Sequence, residues 1–117
     1  MTSFDDDILR VSVVEDEADH LSVVAEGELD IATDETLRVA IADAAVTGRD
    51  VVLDLRGITF CGSSGIALIL DARRALGERL RLLAGDEIRR VLELTGLGRL
   101  LDGEAPDTPA DDRERAL

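Results

Sequence analysis

A chain of 117 residues, 45% hydrophobic and 33% charged, is sized for one domain that buries roughly two-thirds of the surface its unfolded form exposes. Aromatic residues are only 2%, so the core must be aliphatic, and the single cysteine, Cys61, excludes an intramolecular disulfide framework or a cysteine-built zinc site. The 26 Asp and Glu against 13 basic residues, all of them arginine, leave a net charge of -13, which argues against nucleic acid as a partner because that affinity rests on cations neutralising phosphates.

No apolar run approaches the ~18 residues of a membrane span, and the N-terminal MTSFDDD is acidic where a signal peptide is basic. These features predict a cytoplasmic protein. In chain order, ILRVSVV (8–14) alternates as a strand, EDEAD (15–19) is a polar turn, and HLSVVAEGELD (20–30) is a second strand, together a hairpin. Thr33 is expected to cap a helix with its hydroxyl, Asp34 and Glu35 favour the positive end of its dipole, and Gly48 closes it. Leu37, Ile41, Ala44 and Ala45 form its apolar face.

DVVLDL (50–55) reads as a central strand covered on both faces. A helix then runs from about Ser64 to Leu76 and ends at Gly77, RLRLLA (79–84) forms another strand, and Asp86 caps a helix whose face carries Ile88, Val91, Leu92 and Thr95, with Gly96 closing it. LGRLL (97–101) returns to the body, whereas DGEAPDTPADDRERAL (102–117) holds both prolines, has little to bury and reads as a disordered acidic tail. Strands alternating with helices after a hairpin predict an α/β fold with a mixed sheet, in one domain over residues 1–101.

The chemistry concentrates in FCGSSGI (60–66), where two serines stand at a strand-to-helix turn. A nucleophile elbow needs Gly two residues before the serine, but Cys61 stands there, and the only histidine, His20, sits beside a different connection. GITFCGSS (57–64) approaches the Walker A spacing, yet Ser63 occupies the lysine position and the chain contains no lysine. Cys61 reads as a small buried hydrophobe in preference to a reactive thiol, and His20 as a turn or strand-edge residue with no partners for a metal. No cofactor is indicated. On the residues alone, Ser63 reads first as a helix cap, worth ~1 kcal/mol.

The stretches GELD (27–30), VVLDLRGITFCGSSGIALIL (51–70) and IRRVLELTGLGRLL (88–101) resemble a STAS domain of the anti-sigma factor antagonist type, over about residues 8–101. The resemblance implies a small mixed sheet with helices mainly on one side, and a regulatory role without catalysis. In such partner switching, the unphosphorylated antagonist binds an anti-sigma factor that is also a serine kinase and so frees the sigma factor. Phosphorylation ends the interaction and a phosphoserine phosphatase restores it. The family motif D-S-S-G places the phosphorylated serine at Ser63, followed by Ser64 and Gly65, with Gly62 standing where the family has an acid. The connection after the central helix is a few residues shorter than usual. The alternative within the same resemblance is a non-switching STAS module of a stress-signalling assembly or a lipid-transport system. A monomer or weak dimer is expected.

Turning the central helix by about 100° per residue places Leu68, Ile69, Ala72, Ala75 and Leu76 toward the sheet. Asp71 and Arg74 point away from it. Ile66 and Leu70 also leave that arc, one turn apart, with Arg73 between them and the helix end. The expected partner surface therefore comprises Asp30, Ile31, Gly62, Ser64, Gly65, Ile66, Leu70 and Arg73 around Ser63.

Overall fold

The computed structural model describes residues 2–5, 8–15 and 19–100. Its elements are β1 (Thr2–Asp5), β2 (Leu9–Glu15), β3 (His20–Leu29), α1 (Asp34–Ala45), β4 (Asp50–Cys61), α2 (Ser63–Leu76), β5 (Leu80–Ala84) and α3 (Asp86–Leu94), with short 3-10 turns at Gly77–Arg79 and Gly98–Leu100. The strands form one mixed sheet in the order β1-β2-β3-β4-β5. The hairpin expected from the alternating N-terminal stretches is the antiparallel pair β2–β3, while β3–β4 and β4–β5 are parallel. Strand β1, antiparallel to β2, was not legible in the sequence. The expected tail, residues 102–117, lies outside the described residues.

Register explains the core. Leu9 and Val11 of β2 share a sheet face with Leu21, Val23 and Ala25 of β3, Val51, Leu53 and Leu55 of β4, and Leu80 and Leu82 of β5, and all of these are buried. Onto this aliphatic face pack Leu37, Ala40, Ile41 and Ala44 of α1 and Leu68, Ile69, Ala72 and Leu76 of α2. Ala45 is half-buried and packs against this core as expected, whereas Ala75 is exposed, so the arc expected for α2 was one residue too wide. Helix α3 lies against β4 and β5 through Ile88 and Leu92.

The expectation that DVVLDL is covered on both faces is corrected. Strand β4 has a neighbour on each side, but Val52 and Asp54 share the other face with Ser12, Val14, Ser22 and Val24, and none of these is buried. An apolar residue at 52 hid the alternation. The strand also runs on to Cys61, because it carries two residues more than β3 across the same ladder. The pairing steps from Val24↔Asp54 to Glu26↔Gly57, and again from Gly27↔Ile58 to Glu28↔Phe60. Each step is a bulge, which bends the strand and re-aims side chains beyond the reach of β5.

Two capping expectations also change. Thr33 occupies the N-cap position of α1 but makes no capping hydrogen bond. Asp86 is the first residue of α3, and Gly85 is its cap residue. Gly48, Gly77 and Gly96 do follow the three helices with positive φ, as a helix stop requires.

Candidate functional site

The site is built where β3 and β4 end side by side. Gly27 makes this possible, since its φ of +115° is open to glycine and a Cβ there would lie 2.0 Å from the Ile8 carbonyl oxygen. That carbonyl accepts the Glu28 N–H at 3.2 Å. Past the strand end, the chain is locked by Thr33, which is 2% exposed. Its hydroxyl donates to the Glu28 carbonyl at 2.8 Å and accepts the Asp30 N–H at 3.0 Å. The hydroxyl expected to cap α1 thus fixes the GELD turn instead, and Asp30 Oδ1 accepts the Ala32 N–H at 3.0 Å. Asp30 is half-buried, and Ile31 beside it is 84% exposed.

On β4, the Gly62 N–H donates to the Leu29 carbonyl at 2.9 Å, tying the serine turn to the end of β3. The Cys61 N–H donates to Glu87 Oε2 at 3.3 Å, so α3 holds the same turn from the other side. Glu87 is in turn gripped by Arg90 at 2.9 Å, and that hydrogen bond holds the Glu87 carboxyl below its ordinary value. Burial, helped by the Glu87 charge, pushes the Cys61 thiol up to about 11, so it stays protonated at neutral pH. The reading of Cys61 as a small buried group agrees with this.

Helix α2 begins one residue earlier than expected, at Ser63, with Gly62 as its N-cap. Ser63 is therefore the first helical residue, past the N-cap position that Gly62 occupies, which removes the reading of its hydroxyl as the cap. It is exposed, whereas Ser64 is half-buried with its hydroxyl oxygen enclosed and making no hydrogen bond among the described residues. Gly65 is buried because a Cβ there would lie 2.7 Å from Cys61 Sγ and 3.1 Å from Leu29 Cδ2. Gly62 is under no such constraint. Its backbone is extended (φ -86°, ψ -177°), and a Cβ would meet Asp30 Cβ at 3.5 Å and Phe60 Cε2 at 3.7 Å, which is ordinary contact.

Asp30, Ile31, Gly62, Ser63 and Ser64 are brought together at this end of the sheet. Ile66 is half-buried and packs against the core, and Leu70 is half-buried outside the core cluster. Arg73 lies at the far end of α2, where its guanidinium donates to the carbonyls of Gly77 at 3.1 Å and Leu80 at 3.4 Å. That engagement ties it to the turn before β5. Sequence reasoning missed Thr33 and Glu87 as supports, since a hydroxyl facing backward and a carboxylate reaching across from another helix leave no local signature. It also passed over Phe60, 47% exposed on the second bulge.

Comparison with known proteins matches this geometry to a family. A family model described as "Mlab, STAS domain" matches residues 12–102. An anti-sigma F factor antagonist of Lysinibacillus sphaericus is 32% identical over 97 residues, covering 78% of this chain and 82% of that protein. The chain belongs to the STAS domain family. Among solved structures, this STAS domain is similar to an anti-sigma factor antagonist from Mycobacterium paratuberculosis, with 28% identity, a TM-score of 0.72, and coverage of 80% of this chain and 83% of the other. It is also similar to the Bacillus cell fate determinant SpoIIAA in its phosphorylated form, at 25% identity and a TM-score of 0.60, over 78% of this chain and 87% of that one. The mixed sheet with helices mainly on one side is the fold these relatives share. No helix among the described residues is long and apolar enough to cross a membrane.

Proposed function

We propose that this STAS domain is an anti-sigma factor antagonist whose unphosphorylated form binds an anti-sigma factor serine kinase, and that phosphorylation at Ser63 switches the binding off. The observation that carries the reading is the contrast between the two serines. The Ser63 hydroxyl is exposed on the first residue of α2, and the Ser64 oxygen is enclosed. A phosphate on Ser63 would add about -1.5 to -2 charge at a helix N-terminus, whose free N–H groups and dipole favour an anion. The first turn of α2 holds no acidic residue to oppose it. The domain therefore stays folded, and the added charge acts on the partner by repulsion beside Asp30. A phosphatase acting on the same exposed position would restore binding. The protein contributes no catalysis of its own in this scheme. Gly62, where the family motif carries an acid, leaves the recognition of Ser63 by the kinase to its neighbours, chiefly Asp30.

Intact mass after incubation with ATP and a kinase-type anti-sigma factor from the same cell tests the reading. One phosphate is expected on the wild type and on Ser64→Ala, and none on Ser63→Ala. A phosphate retained on Ser63→Ala and lost on Ser64→Ala would overturn the assignment.

A further inference from the structure

Phe60 is the only aromatic residue whose side chain falls among the described residues, and it is 47% exposed. It is turned outward by the second bulge of β4, opposite Glu28, which is also exposed. Its ring reaches to 3.7 Å from the point where a Gly62 Cβ would sit, and Asp30 Cβ reaches to 3.5 Å from the same point. The missing side chain at 62 thus leaves a bare step with the Phe60 ring on one side and Asp30 on the other, one residue before Ser63. Ile31, at 84% exposed, follows Asp30 directly. Single exposed apolar residues are ordinary, and Val46 at 86% is one such case. Here, however, an aromatic and a branched aliphatic flank one turn, which is the make-up of an interface anchor.

The surrounding charge selects the partner. Glu87, which accepts the N–H of Cys61 next to Phe60, is neutralised by Arg90. Glu28 and Asp30 make no ion pair among the described residues, so two carboxylates without a cationic partner stand beside Phe60, Asp30 held by the Ala32 N–H through Oδ1.

We infer that Phe60 is the anchoring side chain for the protein partner, inserting into an apolar pocket rimmed by Arg or Lys that complement Glu28 and Asp30. This rests on the proposed antagonist role, and it continues the Ser63 surface so that a phosphate there would stand at the edge of the same pocket. Charge complementarity of this kind acts mainly on association rate and makes affinity fall with salt.

The test is titration calorimetry of the unphosphorylated full chain against a purified kinase-type anti-sigma factor from the same cell, for wild type, Phe60→Ala and Val46→Ala. Phe60→Ala is expected to bind roughly thirtyfold more weakly, with its melting temperature lowered by less than about 8 °C, and Val46→Ala to bind as wild type does. Affinity within about twofold of wild type for Phe60→Ala overturns the anchor and leaves the Ser63 switch standing. A larger fall in melting temperature accompanying the lost binding also overturns it, because the ring would then be a structural member. If wild type neither binds the kinase nor accepts a phosphate, the antagonist reading fails and the anchor fails with it.

Discussion

Gly65→Ala probes the packing that sets the serine turn. The new methyl would lie 2.7 Å from Cys61 Sγ and 3.1 Å from both Leu29 Cγ and Leu29 Cδ2. Neither neighbour has room to retreat, since Leu29 is 0% and Cys61 7% exposed. Overpacking a core by one methyl costs about 1–3 kcal/mol. Against this, alanine in a helix is favoured over glycine by about 0.8–1.0 kcal/mol. The expected net loss is about 1 kcal/mol, a fall in melting temperature of about 4–8 °C for a domain of this size. Because Leu29 also accepts the Gly62 N–H, its displacement should slow phosphorylation of Ser63. Urea unfolding followed by circular dichroism measures the loss, and the double variant with Cys61→Ala tests its cause. Removing Sγ relieves the shortest contact, so the two changes should couple favourably by about 0.5–1 kcal/mol. A Gly65→Ala protein as stable as wild type, or strictly additive losses in the double variant, would refute the steric account.

Gly62→Asp should fold with stability within about 0.5 kcal/mol of wild type, since an acid at an N-cap gains a few tenths over glycine while the nearby Asp30 opposes it. It restores the family acid, so the initial rate of phosphate incorporation should rise; an unchanged rate would remove position 62 from kinase recognition. Leu70→Gln should weaken partner binding by roughly 1–2 kcal/mol with little stability loss, because Leu70 is half-buried outside the core cluster. A large drop in melting temperature would instead make it a packing residue. The Cys61 thiol, raised from an ordinary 9.0 to about 11, should react negligibly with a disulfide reagent at pH 7 in the folded protein and rapidly in urea. Since the folded value lies above the unfolded one, the associated stability is fully present below pH 9.0 and is lost as pH rises toward about 11. Alkaline unfolding unchanged by Cys61→Ala would contradict this.

What the sequence by itself determined is local and periodic. Alternation in ILRVSVV and HLSVVAEGELD set two strands, and the glycines at 48, 77 and 96 stopped three helices, because turn chemistry and side-chain period act within a few residues. The strand-to-helix turn that carries Ser63 was legible too, through its glycine-flanked motif. Only the tertiary structure decided which serine is exposed, since one residue of helix phase separates the exposed Ser63 from Ser64, whose hydroxyl oxygen is enclosed. The length of β4 was hidden because its two bulges around Gly57 and Thr59 break the alternation that marks a strand. Thr33 and Glu87 support the turn through bonds to Glu28 and Cys61, five and 26 residues away. A hydroxyl or carboxylate shows no preference for such a partner in sequence; the choice is made when parallel strands bring their ends together and leave backbone groups that must be satisfied.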